Sequence, residues 1–118
     1  MANYKDLKVW QKAMDLVVDV YAVIGNFPQT EKFALSDQIR RCSISIPSNI
    51  AEGAGRNHTK EFVQFLSIAL GSLYELQTQL EIAKRVGYLA HINELESKTL
   101  EIEKMLNALI SSMKRGNR

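Results

Sequence analysis

The sequence predicts an all-α fold, an antiparallel up-down-up-down four-helix bundle, on three observations. Apolar residues recur at alternating spacings of three and four along four long stretches, the period of a helix with one buried face. The breaks between these stretches are short and hold helix stop and start residues, so consecutive helices run antiparallel. Only two prolines and six glycines interrupt the 118 residues.

The first helix, about 5–25, has the stripe Leu7, Trp10, Met14, Val17, Tyr21 and Ile24. The GNFP stretch at 25–28 ends it, and Thr30 is a candidate cap for the second helix, about 31–53. That helix follows Leu35, Ile39, Cys42, Ile46 and Ile50. Within it Ser43-Ile44-Ser45-Ile46 also alternates like a short strand, but the longer register favours a helix. Pro47 removes one intrahelical bond, so the helix is expected to be kinked or split there. Gly53-Ala54-Gly55 ends it. The third helix, about 59–86, with Asn57 or Thr59 as cap, follows Phe62, Leu66, Ala69, Leu73, Leu76, Leu80 and Ala83. Lys84 and Arg85 favour its C-terminus, and Gly87 takes the usual glycine position after a helix. Mid-helix Gly71 suggests a close helix approach. The fourth helix, about 92–114, with His91 or Asn93 as cap, follows Ile92, Leu95, Thr99, Ile102, Leu106, Leu109 and Met113. Residues 1–118 read as a single domain.

The helices have more apolar surface than one bundle needs. Helix one holds a second stripe, Val9, Ala13, Leu16, Val20, Val23 and Phe27, rotated from the first by roughly 200° at 100° per residue. On helix two, Phe33 and Ile44 face away from Leu35 and Ile46. Large exposed apolar patches on a monomer mark interaction surfaces. A homo-oligomer is therefore expected, with Val9, Leu16, Val20, Val23, Phe33 and Ile44 at the subunit interface.

Net charge is only +2, but the antiparallel order polarises it. One end of the bundle gathers Lys5, Lys8, Arg56, Lys60, Lys114, Arg115 and Arg118, opposed there by Asp6, Glu52 and Glu61. Basic clusters are the footprint of phosphate binding. Arg40, Arg41, Arg56 and Lys60 are the leading nucleic-acid contacts, with Lys5, Lys8, Lys114 and Arg115 behind them.

Catalytic and metal signatures are missing. Two histidines and a lone cysteine, Cys42, make no metal framework and no disulfide, so no metal and no cofactor are expected. Neither histidine stands three residues after a glutamate, as a di-iron bundle requires. Cys42, on the apolar stripe, reads as a small buried hydrophobe, and Trp10 as a core anchor. An enzyme is not expected. No apolar run approaches membrane-spanning length, and the first residues lack a signal-peptide pattern, so the expected location is cytoplasmic, without membrane contact.

The segments QIRRCSISIPSNIAEGAGR (38–56), EFVQFLSIALGSLYELQTQLEIAKRVGYL (61–89) and YKDLKVWQKAMDLV (4–17) resemble the 23S rRNA intervening-sequence proteins. A relative of that family is the accessory protein of diversity-generating retroelements. The resemblance implies a four-helix bundle commonly assembled as a ring of five. It also implies binding of structured RNA or DNA, or of a reverse transcriptase, and supplies no catalytic residue. Two functions follow as expectations. One is an oligomeric nucleic-acid-binding protein that reads shape and phosphate; the other is a scaffold for a protein partner.

Overall fold

The computed structural model describes residues 3–116. After a 3-10 turn at Tyr4–Asp6, four helices follow: α1 (Lys8–Ile24), α2 (Leu35–Ala54), α3 (Thr59–Arg85) and α4 (Asn93–Lys114). A second 3-10 turn, Gln29–Glu31, lies between α1 and α2. The described residues hold no strand, so the alternating Ser-Ile pairs belong to a helix.

The helices pack in a ring of neighbours, α1 on α2, α2 on α3, α3 on α4 and α4 on α1. The order is antiparallel. Ser45 meets Ser72 and Cys42 meets Glu75 across α2–α3, so numbers rise on one helix as they fall on the other. Across α4–α1, Lys98 pairs with Asp19 and Lys12 with Glu101. The bundle measures 45 × 23 × 20 Å.

The stripes expected on α3 and α4 are the buried ones. All seven α3 positions are buried, and on α4 Leu95, Thr99, Ile102, Leu106 and Met113 are, with Leu109 only partly so. On α1 the two stripes exchange roles. Val9, Ala13, Leu16 and Val20 form the core, whereas Trp10 and Val17 are half-buried and Met14 and Tyr21 exposed. Val9, Leu16 and Val20 therefore cannot lie at a subunit interface, because their own bundle encloses them. Both stripes have helical spacing, so period alone does not choose between them. The small aliphatic stripe lets α1 approach its neighbours closely, and the longer Trp10, Met14 and Tyr21 suit the outside.

Helix starts differ from expectation. α2 begins at Leu35, not 31, because Gln29–Glu31 tightens into a 3-10 turn. The N-cap position of α2 is Ala34, not Thr30, and the Glu31 carboxylate accepts from the Leu35 N–H at 3.3 Å. The N-cap positions of α3 and α4 are His58 and Ile92, and neither side chain makes a capping bond.

α2 runs unbroken across the buried Pro47, so it is not split. Pro47 has no N–H for the Ser43 carbonyl. Side chains reinforce this region. Ser43 Oγ donates to the Arg40 carbonyl at 2.8 Å, and Asn49 Nδ2 donates to the Ser45 carbonyl at 2.8 Å. Ser45 and Ser72 hydroxyls bond across the seam at 2.8 Å.

Gly53 is the glycine of close approach, not Gly71. A Cβ at Gly53 would stand 2.7 Å from Phe65 Cβ and 3.0 Å from Phe62 Cδ1, while one at Gly71 would meet nothing within 4 Å. At the α3 C-terminus, Gly87 adopts φ +88°. Its N–H bonds the Lys84 carbonyl, and the Tyr88 N–H bonds the Ala83 carbonyl, the paired bonds of a Schellman cap. Gly87→Ala forces a side chain into this left-handed conformation. It should lower stability by about 1–2 kcal/mol in denaturant melts; an unchanged midpoint would contradict the strain.

Candidate nucleic-acid interface

The antiparallel ring brings the start of α1, the α2–α3 turn and the end of α4 to one end of the molecule. Lys5 and Lys8 come from the first of these, Arg56 and Lys60 from the second, and Lys114 and Arg115 from the third. Arg118 lies outside the described residues. Lys5, Lys8, Lys60, Lys114 and Arg115 are exposed, and none forms an ion pair among the described residues. Three of the lysines are not there to complement helix dipoles: Lys5, Lys8 and Lys60 sit near helix N-termini, where positive charge is disfavoured.

Arg56 is held differently. Its guanidinium lies 4.9 Å from the Phe65 ring centre, and it approaches Glu61 at 3.9 Å. The planar group is thus held against an aromatic face and is partly exposed.

Arg40 and Arg41 do not join this cluster. About fifteen residues of helix separate them from Arg56, roughly 22 Å at 1.5 Å per residue. Both are bound to Asp37, Arg40 Nη1 at 2.9 Å from Oδ1 and Arg41 Nε at 2.9 Å from Oδ2. These bonds, Arg41's foremost, hold the Asp37 carboxyl below its ordinary range. Arg40 also lies 6.0 Å from the Tyr21 ring centre. The two arginines are local partners of α2 and α1, and only Arg41 projects well into solvent.

A second surface runs along α1 and α2. Tyr4, Trp10, Met14, Val17, Ile44, Pro47 and Ala51 line an apolar groove of about 300 Å³. Trp10 is half-buried: it packs against the core and also lines the groove, and its ring meets Tyr4 edge-on at 5.3 Å. Ile44 is 40% exposed and Phe33 88% exposed, while Val23 is half-buried. The groove was hidden in the sequence because its α1 wall was the stripe read as core.

Cys42 is partly buried: it packs against the edge of the core and also meets polar neighbours. Its thiol donates to Glu75 Oε2 at 3.4 Å and accepts from Gln79 Nε2 at 3.3 Å. Burial pushes the thiol's pKa up, so it is a poor nucleophile at neutral pH. Among the described residues no three His, Cys, Asp or Glu side chains gather to hold a metal ion, and no helix is long and apolar enough to cross a membrane.

Comparison with known proteins gives the relationship. The family model of the 23S rRNA-intervening sequence protein matches residues 5–108. The chain belongs to that family. The match spans α1 to most of α4 and includes Lys5, Lys8, Arg56 and Lys60, while Lys114 and Arg115 lie past its end. The fold likeness agrees. A Bacteroides thetaiotaomicron protein of unknown function from the S23 ribosomal protein family has a crystal structure similar to this chain, with a TM-score of 0.77 and 28% identity. The alignment covers 86% of this chain and 97% of that one. No curated protein matches the sequence. Family membership thus accounts for the four-helix bundle and leaves the function to be argued from the surface.

Proposed function

We propose that this member of the 23S rRNA-intervening sequence protein family is a non-enzymatic, oligomeric nucleic-acid-binding protein. It contacts structured RNA or DNA through phosphates at its basic pole. The observation that supports this reading best is the set of exposed cations without ion-pair partners, Lys5, Lys8, Lys60, Lys114 and Arg115, at one end of a nearly neutral chain. Burying or pairing charges is the ordinary fate of a structural cation; leaving several of one sign together attracts a polyanion. The side chains are flexible and exposed, suited to a phosphate backbone rather than to base edges.

Assembly enters the proposal through the α1–α2 groove. Its exposed apolar lining is a candidate contact between copies, and the family resemblance suggests a ring of five. A ring with parallel subunit axes would set the basic poles side by side and multiply the field each offers. The same groove supports the second reading, a scaffold whose apolar surface takes a protein partner such as a reverse transcriptase.

The test of the first reading is charge reversal at the pole. Lys60→Glu with Lys114→Glu should weaken binding to a structured RNA and to duplex DNA by at least about tenfold at moderate salt, across unrelated sequences. Both positions are exposed, so the fold should be unaffected. Unchanged affinity would remove the pole from the interface. Co-purification with a protein, and no binding to either nucleic acid, would favour the scaffold.

A further inference from the structure

The basic pole is not built of cations alone. Asp6, Glu52 and Glu61 stand at the same end as Lys5, Lys8, Arg56, Lys60, Lys114 and Arg115. Two of these carboxylates have a structural occasion. Glu61 lies in the first turn of α3, where the helix dipole favours a negative charge, and it approaches Arg56 at 3.9 Å. Asp6 closes the 3-10 turn just ahead of α1, again on the favourable side of a helix dipole.

Glu52 has neither. It lies in the last turn of α2, where unsatisfied backbone carbonyls disfavour a negative charge. It is exposed, and its carboxylate makes no ion pair or hydrogen bond among the described residues. Cations of the pole flank it. Arg56 follows in the turn after α2, and the Tyr4–Asp6 turn, which carries Lys5, packs on α2, where Tyr4 and Ala51 line one groove. A carboxylate so placed is unfavourable for α2 and weakens the pole's attraction for phosphate.

What it adds is an acceptor. Lysine and arginine side chains only donate, so they hold the phosphates of RNA and DNA alike. The group that separates the two polymers is the ribose 2′-hydroxyl, which can donate. In A-form RNA these hydroxyls line the wide, shallow minor groove. A carboxylate set among cations can take that hydrogen bond while the cations hold neighbouring phosphates. On DNA the same carboxylate finds no donor there and only repels the backbone.

We infer that Glu52 is the specificity residue of the basic pole: it accepts a hydrogen bond from a ribose 2′-hydroxyl and makes the pole select double-helical RNA over DNA. The inference rests on the reading of the pole as a nucleic-acid interface and narrows its ligand to one class.

Three duplexes of one sequence test it with the full chain: RNA, 2′-O-methyl RNA and DNA, each titrated by fluorescence anisotropy at the same moderate salt. The wild-type chain should bind the RNA at least about tenfold tighter than the DNA. The 2′-O-methyl duplex keeps the A-form but has no hydroxyl to donate, so it should bind like the DNA. Glu52→Ala should weaken RNA binding about fivefold and strengthen DNA binding about twofold, which erases the preference. Glu52→Gln keeps an acceptor oxygen without the charge and should retain part of it. Lys60→Glu should weaken all three duplexes alike. Circular dichroism of each variant establishes that it is folded. Equal affinity for RNA and DNA would overturn the inference and leave the pole a phosphate-binding surface. So would a 2′-O-methyl duplex bound as tightly as RNA, or a Glu52→Ala chain that keeps the wild-type preference. Binding to none of the duplexes would remove the nucleic-acid reading of the pole, and the inference with it.

Discussion

Gly53→Ala should destabilise the fold by about 1–3 kcal/mol, although alanine is the better helix former by about 1 kcal/mol. Gly53 lies inside α2 where α3 packs closely against it. An added methyl would stand 2.7 Å from Phe65 Cβ and 3.3 Å from the Phe62 carbonyl oxygen. These atoms are on or next to the α3 backbone, so rotating a side chain does not relieve the clash; the two helices must separate. Ser45–Ser72 and the Cys42–Glu75–Gln79 group lie on the same seam, and their hydrogen bonds lengthen with it. Gly71→Ala provides the control. Nothing lies within 4 Å of its Cβ position, so the propensity gain is uncompensated and stability should rise by about 0.5–1 kcal/mol. Urea melts of both variants give opposite shifts if close approach is what requires Gly53. Shifts of the same sign would contradict that account.

The second large effect is on assembly. Under the proposed assembly through the α1–α2 groove, Ile44→Glu should yield a monomer at micromolar concentration where the wild-type chain self-associates, weakening association by at least about 30-fold, the penalty of losing an interface anchor. Ile44 sits on the rim of the α1–α2 groove and is 40% exposed, so the substitution is mild for an isolated bundle. A matching change at Val18, 66% exposed on α1 and outside the groove, should leave assembly intact. Sedimentation velocity reads both. A wild-type chain that is already monomeric, or an Ile44→Glu chain that sediments like the wild type, would remove the groove from the subunit interface.

Much of the fold is legible in the sequence, because α3 and α4 each offer one dominant stripe. On α3, Phe62, Leu66, Ala69, Leu73, Leu76, Leu80 and Ala83 are buried as their spacing predicts. The Schellman cap at Gly87 was equally readable, since few residues other than glycine accept a positive φ. α1 was not. It has two stripes of the same period, and choosing between them depends on how closely α2 and α4 approach, which is a property of the assembled bundle. That single inversion moved Val9, Leu16 and Val20 from the expected interface to the core, and moved Trp10, Met14 and Tyr21 outward.

The candidate site was partly legible for a related reason. Antiparallel topology alone places Lys5, Lys8, Lys60, Lys114 and Arg115 at one end. Arg40 and Arg41 count as nucleic-acid contacts on charge alone, but they lie near the start of α2, away from the pole, and Asp37 at three and four residues' distance binds both.

The most direct test of nucleic-acid binding at the basic pole is the salt dependence of affinity for a structured RNA and for duplex DNA. Each phosphate neutralised contributes about −0.9 on a duplex to the slope of log affinity against log salt. A pole engaging three or more of its free cations predicts a slope of about −3 or steeper, similar for unrelated sequences, and shallower by about 1 for each of Lys60→Glu and Lys114→Glu. A slope near zero, or one that neither substitution changes, would contradict the account.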